Sequence, residues 1–205
     1  MVKIDFKKEY KDLYSSSSKE VVIVEVPAFN YLMIDGVGNP NTSQPYREAV
    51  ETLFAVSYAL KFMVKKSGQA VDYGVLPLEG LWWADSLAAF VEGDKDKWKW
   101  TAMIMQPKNL VTDLLVKEAV DQVQKKKNLP ALGKLRFEEF DEGLAVQIMH
   151  LGPFSEEKTT VENMRVFIKR SGYVPVGKHH EIYLSDPRKV APERLKTVLR
   201  QPIKK

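Results

Sequence analysis

The chain has 205 residues, 44% of them apolar and 28% charged, and no window approaches the run of about 18 uncharged apolar residues that a membrane span needs. The absence of cysteine excludes disulfides, thiolate metal sites and cysteine nucleophiles, and the charged N-terminus lacks the apolar core of a signal peptide. A net charge of +4 favours solubility more than nucleic-acid binding, and together these features point to a cytoplasmic protein.

Residues 1–19 read as a charged N-terminal tail ending in Ser15-Ser16-Ser17-Ser18, with Phe6, Tyr10 and Leu13 available as anchors. The β-branched run Val21–Val26 predicts a strand ended by Pro27, and Tyr31–Gly38 a second. From Pro45 to about Lys66 the period turns helical. Val50, Leu53, Phe54, Ser57, Leu60, Phe62, Met63 and Val64 give the apolar face, and Ser67-Gly68 the stop. Tyr73–Trp83 predicts a strand, followed by a charged turn at Gly93–Lys97 and a strand from Trp98 to Met105, with Trp98, Trp100, Ala102 and Ile104 on one face. A helix is expected over Asn109–Lys127, with Leu110, Val111, Leu114, Leu115 and Val123 as its stripe. Lys134–Phe140 and Leu144–Leu151 read as a hairpin turning at Asp141-Glu142-Gly143. A helix follows from Ser155 to Arg170, with Val161, Met164, Phe167 and Ile168 inward and Ser171-Gly172 as its stop. In the strand that comes next, Ile182 and Leu184 take one face and Glu181 and Tyr183 the other. The stretch Pro192–Pro202 predicts a short helix and an edge segment.

The two halves share one order of elements. Ser67-Gly68 recurs as Ser171-Gly172, 104 residues later, and each is followed by a strand bearing a glutamate, Glu79 or Glu181. Aligning them lays Leu78–Trp82 over His180–Leu184. The expectation is an α+β fold. Duplicated β-α-β-β modules, about 20–128 and 129–205, would form a curved antiparallel sheet with helices on one face and a central ligand groove.

Candidate residues for chemistry lie on the predicted strands. Trp82, Trp83, Trp98 and Trp100 fall within 19 residues, denser than a core requires, with Tyr73, Phe140 and Tyr183 on other strands. Such rings either pack a core or stack on flat or cationic aromatic ligands. Glu181 on a concave aromatic face would lose hydration and could pair with a cation, accept a ligand N–H, or act as general acid or base; the alternative is a solvated strand residue. Glu79 has the same options. His179 and His180 point to opposite faces of one strand, and with His150 they make no metal-ligand spacing, so no metal is expected. No phosphate-binding glycine loop or nucleophile elbow is present, no cofactor is expected, and Lys125–Lys127 reads as a solvated helix end.

Leu151-Gly152-Pro153-Phe154, Ser171-Gly172-Tyr173, His180–Pro187 and Leu195–Pro202 resemble the GyrI-like small-molecule-binding proteins, and Pro77–Trp83 resembles their stand-alone branch. The likeness spans roughly residues 20 to 203. It implies a pseudo-twofold pair of modules around a groove in which a buried glutamate, matched by Glu181, meets cationic aromatic ligands. In regulator members this domain follows a helix-turn-helix segment. The present chain starts almost at the module, which argues for a stand-alone role. Some stand-alone members are cyclopropanoid cyclopropyl hydrolases that detoxify DNA-alkylating natural products, and others are named for gyrase inhibition. The resemblance therefore implies a small-molecule binder, with hydrolysis or protein interaction as alternatives. In the hydrolase alternative Glu181 and Tyr183 are the catalytic pair, an ionised Glu181 orienting or deprotonating water and Tyr183 or a protonated glutamate polarising a carbonyl. The expected partner is a planar aromatic small molecule, with neither nucleic acid nor membrane.

Overall fold

A computed structural model describes residues 2–68, 71–85 and 95–205. The elements in chain order are β1 (Val2–Ile4), α1 (Phe6–Glu9), α2 (Lys11–Tyr14), β2 (Val22–Val26), β3 (Phe29–Val37), α3 (Gln44–Lys66), β4 (Val71–Tyr73), β5 (Leu78–Trp83), β6 (Lys99–Gln106), α4 (Asp113–Lys126), β7 (Arg136–Phe140), β8 (Gly143–Leu151), α5 (Glu157–Arg170), β9 (Val174–Pro175), β10 (His179–Tyr183) and β11 (Lys196–Lys204). The fold is α+β, and within each unit the ladders among the described residues are antiparallel except for the short parallel pair β1–β4. Of the predicted Gly93–Lys97 turn, Gly93 and Asp94 lie outside the described residues, and Lys95–Lys97 form a 3-10 turn.

The chain forms two compact units, one built on Phe29–Phe140 with the N-terminal strand, the other on Lys7–Ala28 and Asp141–Lys205. In the first, β3 lies between β7 and β6, and β6 also pairs with β5. In the second, β8 lies between β2 and β11, and β11 also pairs with β10. The order β3-β6-β5 is thus repeated as β8-β11-β10. The helix that follows β3 or β8 ends in each case at a glycine with positive φ, 81° at Gly68 and 74° at Gly172, a conformation glycine adopts without a Cβ clash.

Helix α3 starts where its sequence dictates. The Ser43 hydroxyl accepts from the Tyr46 N–H at 3.2 Å, Pro45 sits in the first turn, and Lys65 and Lys66 face the negative end of the dipole. Ala49, Leu53, Val56, Leu60 and Val64 are buried at helical spacing, whereas Phe62, expected inward, is exposed. Helix α4 begins at Asp113, four residues later than the pattern suggests, because Thr112 caps it through the Leu115 N–H. Leu114 points to solvent as a result. On α5, Met164 and Ile168 pack against Val146, Ile148, Leu199 and Ile203.

Three expectations need correction. The predicted hairpin does not form: β7 pairs with β3, and β8 pairs with β2 and β11. Both strands carry the right alternation, but periodicity says nothing about partners, and the supposed turn residue Glu142 is buried. Tyr73–Trp83 is not one strand, because Gly74–Pro77 interrupts it between β4 and β5. The C-terminal stretch is not an edge: β11 lies between β8 and β10. Within the 1–19 segment, residues 2–14 carry β1, α1 and α2, and Leu13, an expected anchor, is buried together with Tyr14.

Candidate functional site

Three tryptophans of the first unit, Trp82, Trp98 and Trp100, gather near the start of α3. Tyr46 of α3 meets Trp82 at 5.7 Å and Trp100 edge-on at 5.0 Å between ring centroids, and Trp98 stands 5.8 Å from Trp82. Trp82 and Trp100 are direct cross-strand partners and both are buried. The sequence makes room for them with glycine: a Cβ on Gly36 would stand 2.1 Å from Trp100, and one on Gly80 would stand 2.7 Å from Trp82. Gly36→Ala is therefore expected to lower stability by about 1–3 kcal/mol, the usual cost of overpacking. Chemical denaturation followed by tryptophan emission checks this; an unchanged midpoint would show that the ring yields freely. Trp98 and Trp83 are only partly buried, and the Lys95 ammonium lies 5.3 Å from the Trp98 ring centroid, within cation–π range.

Trp83 and Glu79 take the face of β5 opposite to Trp82, away from Tyr46. Glu79 is 1% exposed, pairs across to Met103, and has the Tyr31 hydroxyl 3.5 Å from Oε2. Tyr31 stacks edge-on with Phe140 at 6.2 Å. Tyr73 is buried on β4 against Phe6, and burial raises its phenol well above the ordinary tyrosine range.

In the second unit Glu181 pairs across to Leu199, which packs on α5, so Glu181 lies on the helix-bearing face. Tyr183 shares that face and donates its hydroxyl to Glu181 Oε2 at 2.7 Å, while His179 Nε2 stands 3.6 Å from Oε1. The Tyr183 ring is held edge-on by Phe154, 5.7 Å away, just before α5. The Glu181 side chain is 12% exposed, screened from most water yet reachable. A carboxylate fixed by a phenol on one oxygen, beside an imidazole near the other, is equipped to take a proton from a bound water or to pair with a cation.

The alignment that laid Glu79 over Glu181 is off by one residue. Glu181 faces its unit's helix, whereas Glu79 turns its back on α3; the β5 residues that share Glu181's facing are Gly80 and Trp82. A one-residue slip reverses every side chain of a strand. The two histidines do separate as expected: His179 approaches Glu181, and His180 turns to the opposite face.

On that opposite face lies a buried charge network with no warning in the sequence pattern. His180 Nδ1 donates to the Glu142 carboxylate at 2.9 and 3.0 Å, and Arg200 Nη1 donates to Glu142 Oε2 at 3.0 Å. Arg200 also reaches Gln147 Oε1 at 3.0 Å and the Leu13 carbonyl at 3.1 Å, and Gln147 donates to the Asp12 carbonyl at 2.6 Å. Burial pushes the Glu142 carboxyl up, but the charges and hydrogen bonds of His180 and Arg200 outweigh it and hold the group at about 2. Among the described residues, no group of three or more His, Asp or Glu side chains is placed to hold a metal ion, and no helix is long and apolar enough to cross a membrane.

The sequence matches the model of the GyrI-like small molecule binding domain over residues 19–204. The chain belongs to that family. It is similar to an uncharacterized conserved protein from Listeria innocua, at 40% identity over 98% of this chain and 100% of the other, with a TM-score of 0.91. It is also similar to two structures of hydrolases from the same organism. One is 40% identical over 99% of this chain and 100% of the other, with a TM-score of 0.88; the second is 38% identical over 98% and 100%, with a TM-score of 0.85. No curated protein matches the chain.

Proposed function

We propose that this GyrI-like protein binds a planar aromatic small molecule and hydrolyses it, with Glu181 as general base. The observation that carries the reading is the Tyr183–Glu181 hydrogen bond at 2.7 Å on a nearly buried carboxylate. The hydrolases from Listeria innocua at 38–40% identity support it. Tyr183, held edge-on by Phe154, is the aromatic ring beside Glu181 in the second unit; the four tryptophans, Tyr73, Phe140 and Glu79 belong to the first unit.

The substrate class proposed is an activated cyclopropane fused to a dienone, as in DNA-alkylating natural products. Water oxygen bonds to the strained carbon, the cyclopropane C–C bond breaks, and its electron pair enters the conjugated system to give a phenolate. Glu181 takes the water proton, which ends on the phenolate oxygen, so the net change is addition of one water. In this reading Tyr183, which gives its hydroxyl to Glu181 at 2.7 Å, orients that base.

Tryptophan quenching by a panel of planar compounds, paired with product mass, tests the proposal. A gain of one water (about 18 Da) alongside quenching supports it. Quenching without product would reduce the protein to a small-molecule sink or sensor, the reading the family's binding role favours. No quenching by any member would overturn both.

A further inference from the structure

Resting on that reading, we infer that Thr197 is a positioning residue that holds the attacking water in front of Glu181. Thr197 lies on β11 directly opposite Tyr183 on one side and His150 on the other. All three share the helix-bearing face with Glu181, which sits diagonally across, two residues along β10. Cross-strand diagonals of this kind are close enough for one water to join a threonine hydroxyl and a glutamate carboxylate.

The neighbours of Thr197 in that row are committed. The Tyr183 hydroxyl goes to Glu181, His150 Nδ1 meets Thr160 Oγ1 at 2.9 Å, and His150 Nε2 meets the Pro153 carbonyl at 3.2 Å. Thr197 is 1% exposed, and its hydroxyl has no hydrogen-bond partner among the described residues. A buried hydroxyl left unpaired is costly, and valine would fill the same β-branched volume at a strand position without that cost. A hydroxyl both donates and accepts, so it can fix a water whose proton Glu181 removes and leave a lone pair aimed at the substrate.

Two measurements on the full-length protein decide this. A high-resolution crystal structure is expected to show an ordered water within hydrogen-bond reach of both Thr197 Oγ1 and the Glu181 carboxylate, absent in Thr197→Val. In steady-state kinetics Thr197→Val should lower kcat about tenfold, the worth of one hydrogen bond to the nucleophile, with KM within about twofold, and Thr197→Ser should restore kcat. No water at Thr197, or a Thr197→Val enzyme with wild-type kcat, overturns the inference. A water in place with no turnover by the wild-type protein instead overturns the hydrolase reading beneath it, so the two failures are told apart.

Discussion

Glu142→Ala is expected to destabilise the protein by about 3–5 kcal/mol, because it strands Arg200 beside His180 in a buried site with no compensating charge. Arg200 is 2% exposed and His180 is fully buried, so neither has water to fall back on. The damage should spread beyond one ion pair. Arg200 and Gln147 also hold the Leu13 and Asp12 carbonyls, so the network fastens α2 to the back of β8 and β11. Urea denaturation at neutral pH measures the loss; a variant within 1 kcal/mol of the parent would show that the site collapses or floods without penalty. The network has a pH signature as well. The Glu142 carboxyl titrates at about 2 in the folded chain against an ordinary 4.5. The stability it contributes is therefore complete above about pH 4.5 and is lost as pH falls towards 2. Glu142→Gln should lack that component of the acid transition, and a parent protein whose stability stays flat from pH 4.5 to 2 would contradict the pairing.

That same network marks the limit of what the residues disclose. The α+β class, the helix stops at Gly68 and Gly172, and the facing of Glu181 and Tyr183 all follow from local periods and from the conformational freedom of glycine. Glu142 does not, because Asp141-Glu142-Gly143 has the composition of a solvated turn and becomes a core carboxylate only when β11 brings Arg200 beside it. Strand partnership is a long-range property, and it is also what misplaced the β7–β8 hairpin. The tryptophan cluster was half legible. Four tryptophans so close together stood out; that Gly80, two residues before Trp82, makes room for that ring to fold back over its own strand did not. The alignment of the two halves put Glu79 on the wrong face, because a single-residue offset reverses the facing of a strand.

Glu181→Gln is expected to lower kcat by about 10²–10⁴-fold while leaving the fold and ligand affinity intact. Glutamine keeps the length and volume of the side chain, and its carbonyl oxygen can still accept the Tyr183 hydroxyl, so Phe154, Tyr183 and β10 have no reason to move. What disappears is the basic oxygen near His179. A loss confined to kcat would identify Glu181 with proton removal in the transition state, whereas a rise in KM alone would make it a ligand contact. Tyr183→Phe separates orientation from basicity: the carboxylate survives but loses its 2.7 Å anchor, so its defect should be milder than that of Glu181→Gln. Thermal melts and quenching titrations on both variants supply the control for folding and binding. Full turnover by Glu181→Gln would remove the base from the mechanism and leave Glu181 as a polar wall of a binding pocket.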